Sequence, residues 1–300
     1  MNVKILVLGS NGQLGRCLRD QFTEKNPNVV FLTKEELDIQ NTQCLRKKLL
    51  EFKPEVVVNT AAYTNVDASE TNIKIANSLN HKAVFNLADI CFEIDSLLIH
   101  ISTDYVFDGN SKIPYKESNN VNPLSVYGRS KLDGENAIMT SNCNFIIIRT
   151  SWVFSEYGNN FLKTMFDLSS KLSEISIIND QIGCPTYAQD LAKTIRAIIA
   201  DVGKTKKTKK TKKIFHYCGD NSCSWYEFAM YIFCTLKNNK LKTPDIINSV
   251  SSLNYNQAAK RPKNSSLDCS LIYRTFQIQP SDWRLGVKTS LNKILIPSKD

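Results

Sequence analysis

Five strongly apolar runs punctuate the first half of the chain: VKILVL (3–8), VVFL (29–32), VVVNT (56–60), LLIHIS (97–102) and FIIIRT (145–150). They are nearly continuous in apolar character rather than alternating, as strands covered on both faces must be. Helix-compatible stretches such as NTQCLRKKLLEF (41–52) and ANSLNHKAVFNLADICFE (76–93) lie between them. Strands alternating with helices predict an α/β fold, a Rossmann-like doubly wound parallel sheet. Its functional crevice would open at the carboxyl ends of the strands.

Three hundred residues allow a second unit. After residue 150 the pattern becomes less regular, with a helical stretch over 160–172, a short strand ISII (175–178), and helices near 188–200 and 224–237. The expected division is a first domain over 1–150 and a smaller lobe over 151–300, interleaved with it. No internal repeat is visible.

Net charge is +9, but the segment GKTKKTKKTKK (203–213) holds seven lysines, and without it the balance falls to +2. A self-repelling repeat of this kind predicts a solvated surface insertion rather than a nucleic-acid interface. The apolar runs are too short to span a bilayer, so no membrane role is expected. The N-terminus runs directly into a strand-like segment, and nine cysteines lie scattered without CxxC spacing. Reduced thiols in a cytoplasmic protein are the expectation, with no structural zinc.

The first strand runs into GSNGQLG, which places Gly9, Gly12 and Gly15 in a GxxGxxG arrangement with Asn11, Gln13 and Leu14 between them. Such a turn lets backbone approach a pyrophosphate and aims a helix N-terminus at it, which predicts an NAD(P)-binding domain. The second strand leads into Thr33 and Lys34 where an acid would hold the ribose of NAD. A lysine there favours NADPH, although NADH stays open. Asp38 and Ile39 are placed to flank the adenine, and Ala61, Ala62 and Tyr63 follow the third strand near the middle of the cofactor.

YGRSKLDGE (127–135) sets Tyr127 and Lys131 one helical turn apart. The pair is either a solvated helix start or a proton donor beside the cation that tunes it. With GSNGQLG, STDYVFDG (102–109), RTSWVF (149–154), GNNF (158–161), INDQIGCPT (178–186) and RPKNSSLD (261–268) in order, the chain resembles the short-chain dehydrogenase/reductase superfamily. Within it, the chain resembles the dTDP-4-dehydrorhamnose reductases.

That resemblance implies NADPH-dependent reduction of the C4 ketone of a dTDP-linked 4-keto-6-deoxy sugar, the last step of dTDP-L-rhamnose synthesis. It implies Tyr127 as proton donor, Lys131 as the cation that tunes it and holds the nicotinamide ribose, and Thr103 as the group orienting the substrate oxygen. It further implies sugar-nucleotide contacts from Asp104, Trp152, Asn160, Asp180, Gln181 and Thr186, and a diphosphate partner in Arg261. Related 4,6-dehydratases carry Thr-Asp-Glu where this chain has Thr103–Asp104–Tyr105, which favours simple reduction. A homodimer and bound Mg²⁺ enter by resemblance alone. A UDP-linked ketone as substrate, or a non-catalytic role like that of the regulatory subunit of methionine adenosyltransferase, stay open as alternatives.

Overall fold

The computed structural model describes residues 3–22, 26–205, 211–255 and 257–296. Its centre is a six-stranded sheet built from β1 (Ile5–Leu8), β2 (Val29–Leu32), β3 (Val56–Asn59), β4 (Leu97–Thr103), β5 (Asn144–Thr150) and β6 (Lys212–His216). The spatial order is β6-β5-β4-β3-β1-β2, and every pairing is parallel. The order reverses between β1 and β3, which is where a doubly wound sheet opens its crevice.

Continuous apolarity in the strands has its reason in the two layers they feed. Ile5 and Val7 of β1 face a core shared with Leu14 and Leu18 of α1 (Gln13–Gln21), whereas Leu6 and Leu8 face the opposite core. That second core is closed by Leu45 and Leu49 of α2 (Thr42–Phe52) and by Val84, Leu87 and Ile90 of α3 (Ala83–Glu93). Helix α4 (Val126–Thr140) carries the Tyr–Lys pair and covers the same face through Ile138.

The expected single helical stretch over 76–93 is broken by a π-helical segment, Ser78–Lys82, before α3 begins. Such bulges turn a helix locally and occur at functional sites. Here it brings Asn80 inward.

The later half supplies α5 (Phe161–Ser169), α6 (Ala188–Thr205), α7 (Trp225–Asn238) and α8 (Trp283–Leu295). Ile195 and Ile198 of α6 join the core beside α1, and β6 adds itself to β5. A separate core of Phe154, Phe228, Ile232, Trp283 and Leu291 lies under α7 and α8. Beside it, Glu174–Ile178 and Ile246–Val250 form a two-stranded parallel pair.

The expectation of a surface insertion over 203–213 needs correction at both ends. Residues up to Thr205 complete α6, and Lys212 and Lys213 begin β6, paired with Phe145 and Ile146. The hydrophobic IFH that follows needs the sheet, and it draws two lysines into the edge strand. Residues 206–210 lie outside the described residues.

One buried ion pair ties α4 to the sheet. Arg149 on β5 and Glu135 on α4 meet at 2.7 Å, with further bonds at 2.9 and 3.3 Å from the Arg149 Nε. Ser102 of β4 also donates to Glu135 at 2.5 Å. Removing one partner of such a pair leaves a buried charge unmatched. Glu135→Ala should therefore lower stability by about 3–5 kcal/mol, measured as a fall in the urea unfolding midpoint.

Candidate active site

Strand β4 ends at Thr103, directly before a 3₁₀ turn over Asp104–Val106. The Thr103 hydroxyl accepts the Tyr105 N–H at 3.2 Å and donates to Asp104 Oδ1 at 3.0 Å. Helix α4 starts under a Ser125 cap, whose hydroxyl accepts the Gly128 N–H at 3.1 Å. The first turn of the helix then carries Tyr127 to the end of β4. The phenol is pushed up to about 12, chiefly by burial, with a hydrogen bond to Thr103 offsetting part of that rise. Tyr105 packs edge-on against the Tyr127 ring, with centroids 5.8 Å apart and planes at 74°.

One turn further on, Lys131 is buried with its nitrogen 2.7 Å from the Ile101 carbonyl and 3.2 Å from His100 Nε2. Burial draws its pKa down to about 8, against the opposing pull of Glu135. Thr103, Tyr127 and Lys131 are thus gathered around the carboxyl end of β4. The phenol itself is raised, not lowered as the Tyr–Lys spacing led one to expect, because burial of the ring, with the Asp104 charge adding to it, outweighs the Thr103 bond.

Asp104 is buried, and burial raises its carboxyl to about 7, with Ser265 and Thr103 drawing it partly back. Its Oδ2 has no hydrogen-bond partner. A carboxyl raised in the folded chain keeps its proton where the unfolded chain has lost it, so stability falls as pH rises from about 4 to about 7. Asp104→Asn should flatten that slope and raise Tm above wild type at pH 8, a span worth several kcal/mol at roughly 1.4 kcal/mol per unit. Thermal scans of both proteins between pH 5 and pH 8 measure it.

The dinucleotide turn lies at the carboxyl end of β1. Gly9 takes φ +75°, and an added Cβ there would stand 2.8 Å from the Ala61 nitrogen. At Gly15 a Cβ would meet Gly9 O at 2.5 Å, so only hydrogen lets α1 come this close to its strand. Gly12 caps α1 without a side-chain bond, and Asn11 and Gly12 are exposed, which leaves the helix start open to a phosphate. Leu14 turns into the core. These residues fit a dinucleotide pyrophosphate.

Gln13 serves another purpose: its Oε1 accepts from Asn160 at 2.7 Å and from Ser155 at 3.1 Å, and its Nε2 donates to the Val153 carbonyl. Asn160 is spent in the same junction, donating also to Ser155 O and Tyr157 O and capping α5. The side chains of Gln13 and Asn160 therefore bind the two halves of the chain together.

Lys34 is exposed just beyond β2, and Asp38 accepts the Gln40 N–H. Ile39 is buried at 2% exposure among Leu37 and Leu45, in the core rather than on an open adenine shelf. Ala61, Ala62 and Tyr63 are half-buried after β3, and Asn80 holds Tyr63 at both backbone N–H (2.8 Å) and carbonyl (3.0 Å). Asn80 also donates to Ser130 of α4 at 3.0 Å.

On the facing side, Trp152 takes φ 47° and stacks on Trp225 at 3.4 Å, and a Cβ at Gly183 would strike its ring at 2.4 Å. Thr186 is buried near Thr150, and Gln181 is buried with Oε1 unpartnered. Asp180 is engaged by Ser251 and Ser252. Arg261 forms a bidentate pair with Asp67, at 2.7 and 3.1 Å, and its field and hydrogen bond reach Tyr105. Asp67 and Arg261, with Phe161, Trp225, Tyr255 and Ile178, line a cavity of about 630 Å³. Asp67, Asn80 and His100 were not singled out by sequence reasoning; each acts through a partner remote in the chain. Among the described residues no three His, Cys, Asp or Glu side chains converge to hold a metal.

A tyrosine and a buried lysine gathered at the carboxyl edge of such a sheet, opposite a glycine-lined helix start, place the chain among the extended short-chain dehydrogenase/reductases. Within that class it belongs to the RmlD family, since residues 3–296 match the family described as RmlD substrate binding domain. The dTDP-4-dehydrorhamnose reductase of Aggregatibacter actinomycetemcomitans is 41% identical over 289 residues, 95% of this chain and 97% of that one. A crystal structure of a dTDP-4-dehydrorhamnose reductase from Clostridium acetobutylicum superposes with TM-score 0.88 at 35% identity, covering 97% of this chain and 99% of that one. One from Bacillus anthracis in complex with NADP gives TM-score 0.88 at 33% identity, covering 98% and 100%. Among the described residues no helix is long and apolar enough to cross a membrane.

Proposed function

We propose that the protein is an NADPH-dependent dTDP-4-dehydrorhamnose reductase that converts dTDP-4-dehydro-β-L-rhamnose to dTDP-L-rhamnose, the last step in making that nucleotide sugar. The observation that carries this reading is α4 bringing Tyr127 against Tyr105 and Lys131 against the Ile101 carbonyl at the end of β4, with Tyr105 where a dehydratase carries glutamate. Near-complete coverage by reductases of that name supports the substrate.

NADPH, when bound, supplies the hydride to the ketone carbon. Tyr127 gives its phenolic proton to the developing alkoxide, a stronger base than the phenolate left behind. A pKa near 12 keeps the phenol fully protonated before that moment. Thr103 orients the substrate oxygen, and Lys131 in its ammonium form favours the phenolate. Asp104, Gln181 and Thr186 are buried polar groups and suit the sugar hydroxyls. Trp152, held by its stacking on Trp225, would close over the sugar, with Asp180 at the edge of that lobe. Arg261 would exchange the Asp67 carboxylate for the diphosphate, and the neighbouring cavity supports the nucleotide end. Nine free thiols support a reducing, cytoplasmic setting. Homodimerisation and the lack of a nucleic-acid partner belong to this reading and rest on sequence alone.

Following NADPH absorbance with the dTDP- and UDP-linked ketones side by side tests the substrate, and equal turnover of both would overturn the choice of base. Tyr127→Phe should bind NADPH with unchanged Kd and lose turnover by ~10²–10⁴-fold; near-wild-type turnover would remove the proton-donor role. Lys34→Ala should raise the KM for NADPH by roughly tenfold and leave that for NADH almost unmoved, as expected of one lost charge-assisted contact to a 2′-phosphate.

A further inference from the structure

Of the three histidines in the chain, His100 sits fully buried in β4, directly behind Lys131. Its Nδ1 lies 3.1 Å from Asn59 Nδ2, and its Nε2 lies 3.2 Å from Lys131 Nζ. The orientation of the Asn59 amide is fixed from its other end, because its Oδ1 accepts the Ala61 N–H at 3.1 Å. The Asn59 NH₂ therefore faces the ring and donates to Nδ1. A neutral imidazole that accepts at Nδ1 carries its hydrogen on Nε2.

That N–H points at the lysine nitrogen. An ammonium has three donors and no acceptor, so two donors then face each other across 3.2 Å. The contact becomes a hydrogen bond when Lys131 is an amine, whose lone pair accepts from Nε2. One of the three hydrogens of the ammonium is separately satisfied by the Ile101 carbonyl at 2.7 Å. Asn59, His100 and Lys131 thus form a short relay, from the end of β3 to the catalytic helix, holding one proton more than its acceptors can take.

We propose that His100, its tautomer fixed by Asn59, is a positioning residue of the reductase reaction: its Nε2–H faces Lys131 and weakens the hold of that lysine on its third proton. The proposal rests on the reductase reading above. The titratable groups facing Lys131 are His100 from β4 and, on its own helix, Tyr127 one turn earlier and Glu135, the latter already paired with Arg149 of β5. Strand β3 contributes the neutral Asn59, and the π-helical turn contributes the neutral Asn80 amide through Ser130. Burial draws the pKa of Lys131 down, and burial together with the neighbouring ammonium draws down that of His100. The consequence is a lysine that changes charge near neutral pH, within the working range of the reaction, instead of one locked as an ammonium.

Two measurements test this. Long-range ¹H–¹⁵N spectra of histidine-labelled protein, with and without NADP⁺, read the tautomer of His100 directly. A bare Nδ1 and a protonated Nε2 are expected, and a proton on Nδ1 would overturn the proposal whether or not the protein reduces any ketone. His100→Gln places an amide oxygen where Nε2 stood, an acceptor for the ammonium. The alkaline limb of kcat against pH should then move up by ~1 unit, with KM for NADPH little changed. Asn59→Asp, which accepts from Nδ1 and so reverses the tautomer, should move the limb in the same direction. Unmoved limbs in both folded variants would reduce His100 to a core residue; if His100→Gln fails to fold, the wild-type spectrum and Asn59→Asp decide. Absence of ketone reduction by wild-type protein would count against the reductase reading and leave the spectrum to judge the relay.

Discussion

Everything at the site depends on how closely α4 lies against the end of β4. Two glycines in YGRSKLDGE permit that approach. A Cβ at Gly128 would come within 2.3 Å of the Tyr105 carbonyl, and one at Gly134 within 2.2 Å of the Asn80 carbonyl. Only at this separation does Lys131 reach the Ile101 carbonyl and bury its amine, and only then does Tyr127 meet Thr103. The π-helical turn is drawn into the same contact through Asn80, which holds both Ser130 and the Tyr63 backbone. The catalytic helix and the loop on the cofactor side are therefore registered by one amide.

The region is costly in solvation terms. Lys131, Asp104, Glu135, Arg149 and His100, drawn from β4, the turn after it, α4 and β5, are all essentially out of water. Glu135 and Arg149 compensate one another, and Ser102 completes their bonding. Asp104 is not fully compensated, and its stranded oxygen and raised pKa mark it as a group held ready for something outside the protein's own bonding. Structural and reactive charges thus share one helix: the ion pair anchors the second turn after Tyr127, and that anchor fixes where the phenol stands.

Much of this was legible in the sequence because it is local. Apolar runs without alternation gave away strands covered on both faces, GSNGQLG marked the first strand-to-helix turn, and the four-residue step from Tyr127 to Lys131 could only be one helical face. The less legible parts depend on contacts remote in the chain. The Arg261–Asp67 pair spans 194 residues, and nothing in the neighbourhood of Asp67 signals it. Asn160 reads as a pocket residue in GNNF, yet its hydrogen bonds are consumed by Gln13, 147 positions away. Strand β6 was hidden because its first two residues are lysines, whereas parallel pairing with β5 demands only that the following Ile214 and Phe215 be apolar. His100 looked like an isolated histidine inside a strand until β3 and α4 supplied a partner for each ring nitrogen.

Strand β6 forms one margin of the sheet among the described residues, and its outward-facing His216 N–H is taken by the Glu117 carboxylate at 2.9 Å. Such a margin invites a second chain to add itself by strand pairing. Lys212 and Lys213 stand exposed at the start of that strand. Two like charges there would have to be brought against the same two charges of any identical strand arriving alongside in parallel. Charge at such a margin is the ordinary device that discourages strand pairing between copies, and here Lys212 and Lys213 supply it beside the Glu117 carboxylate.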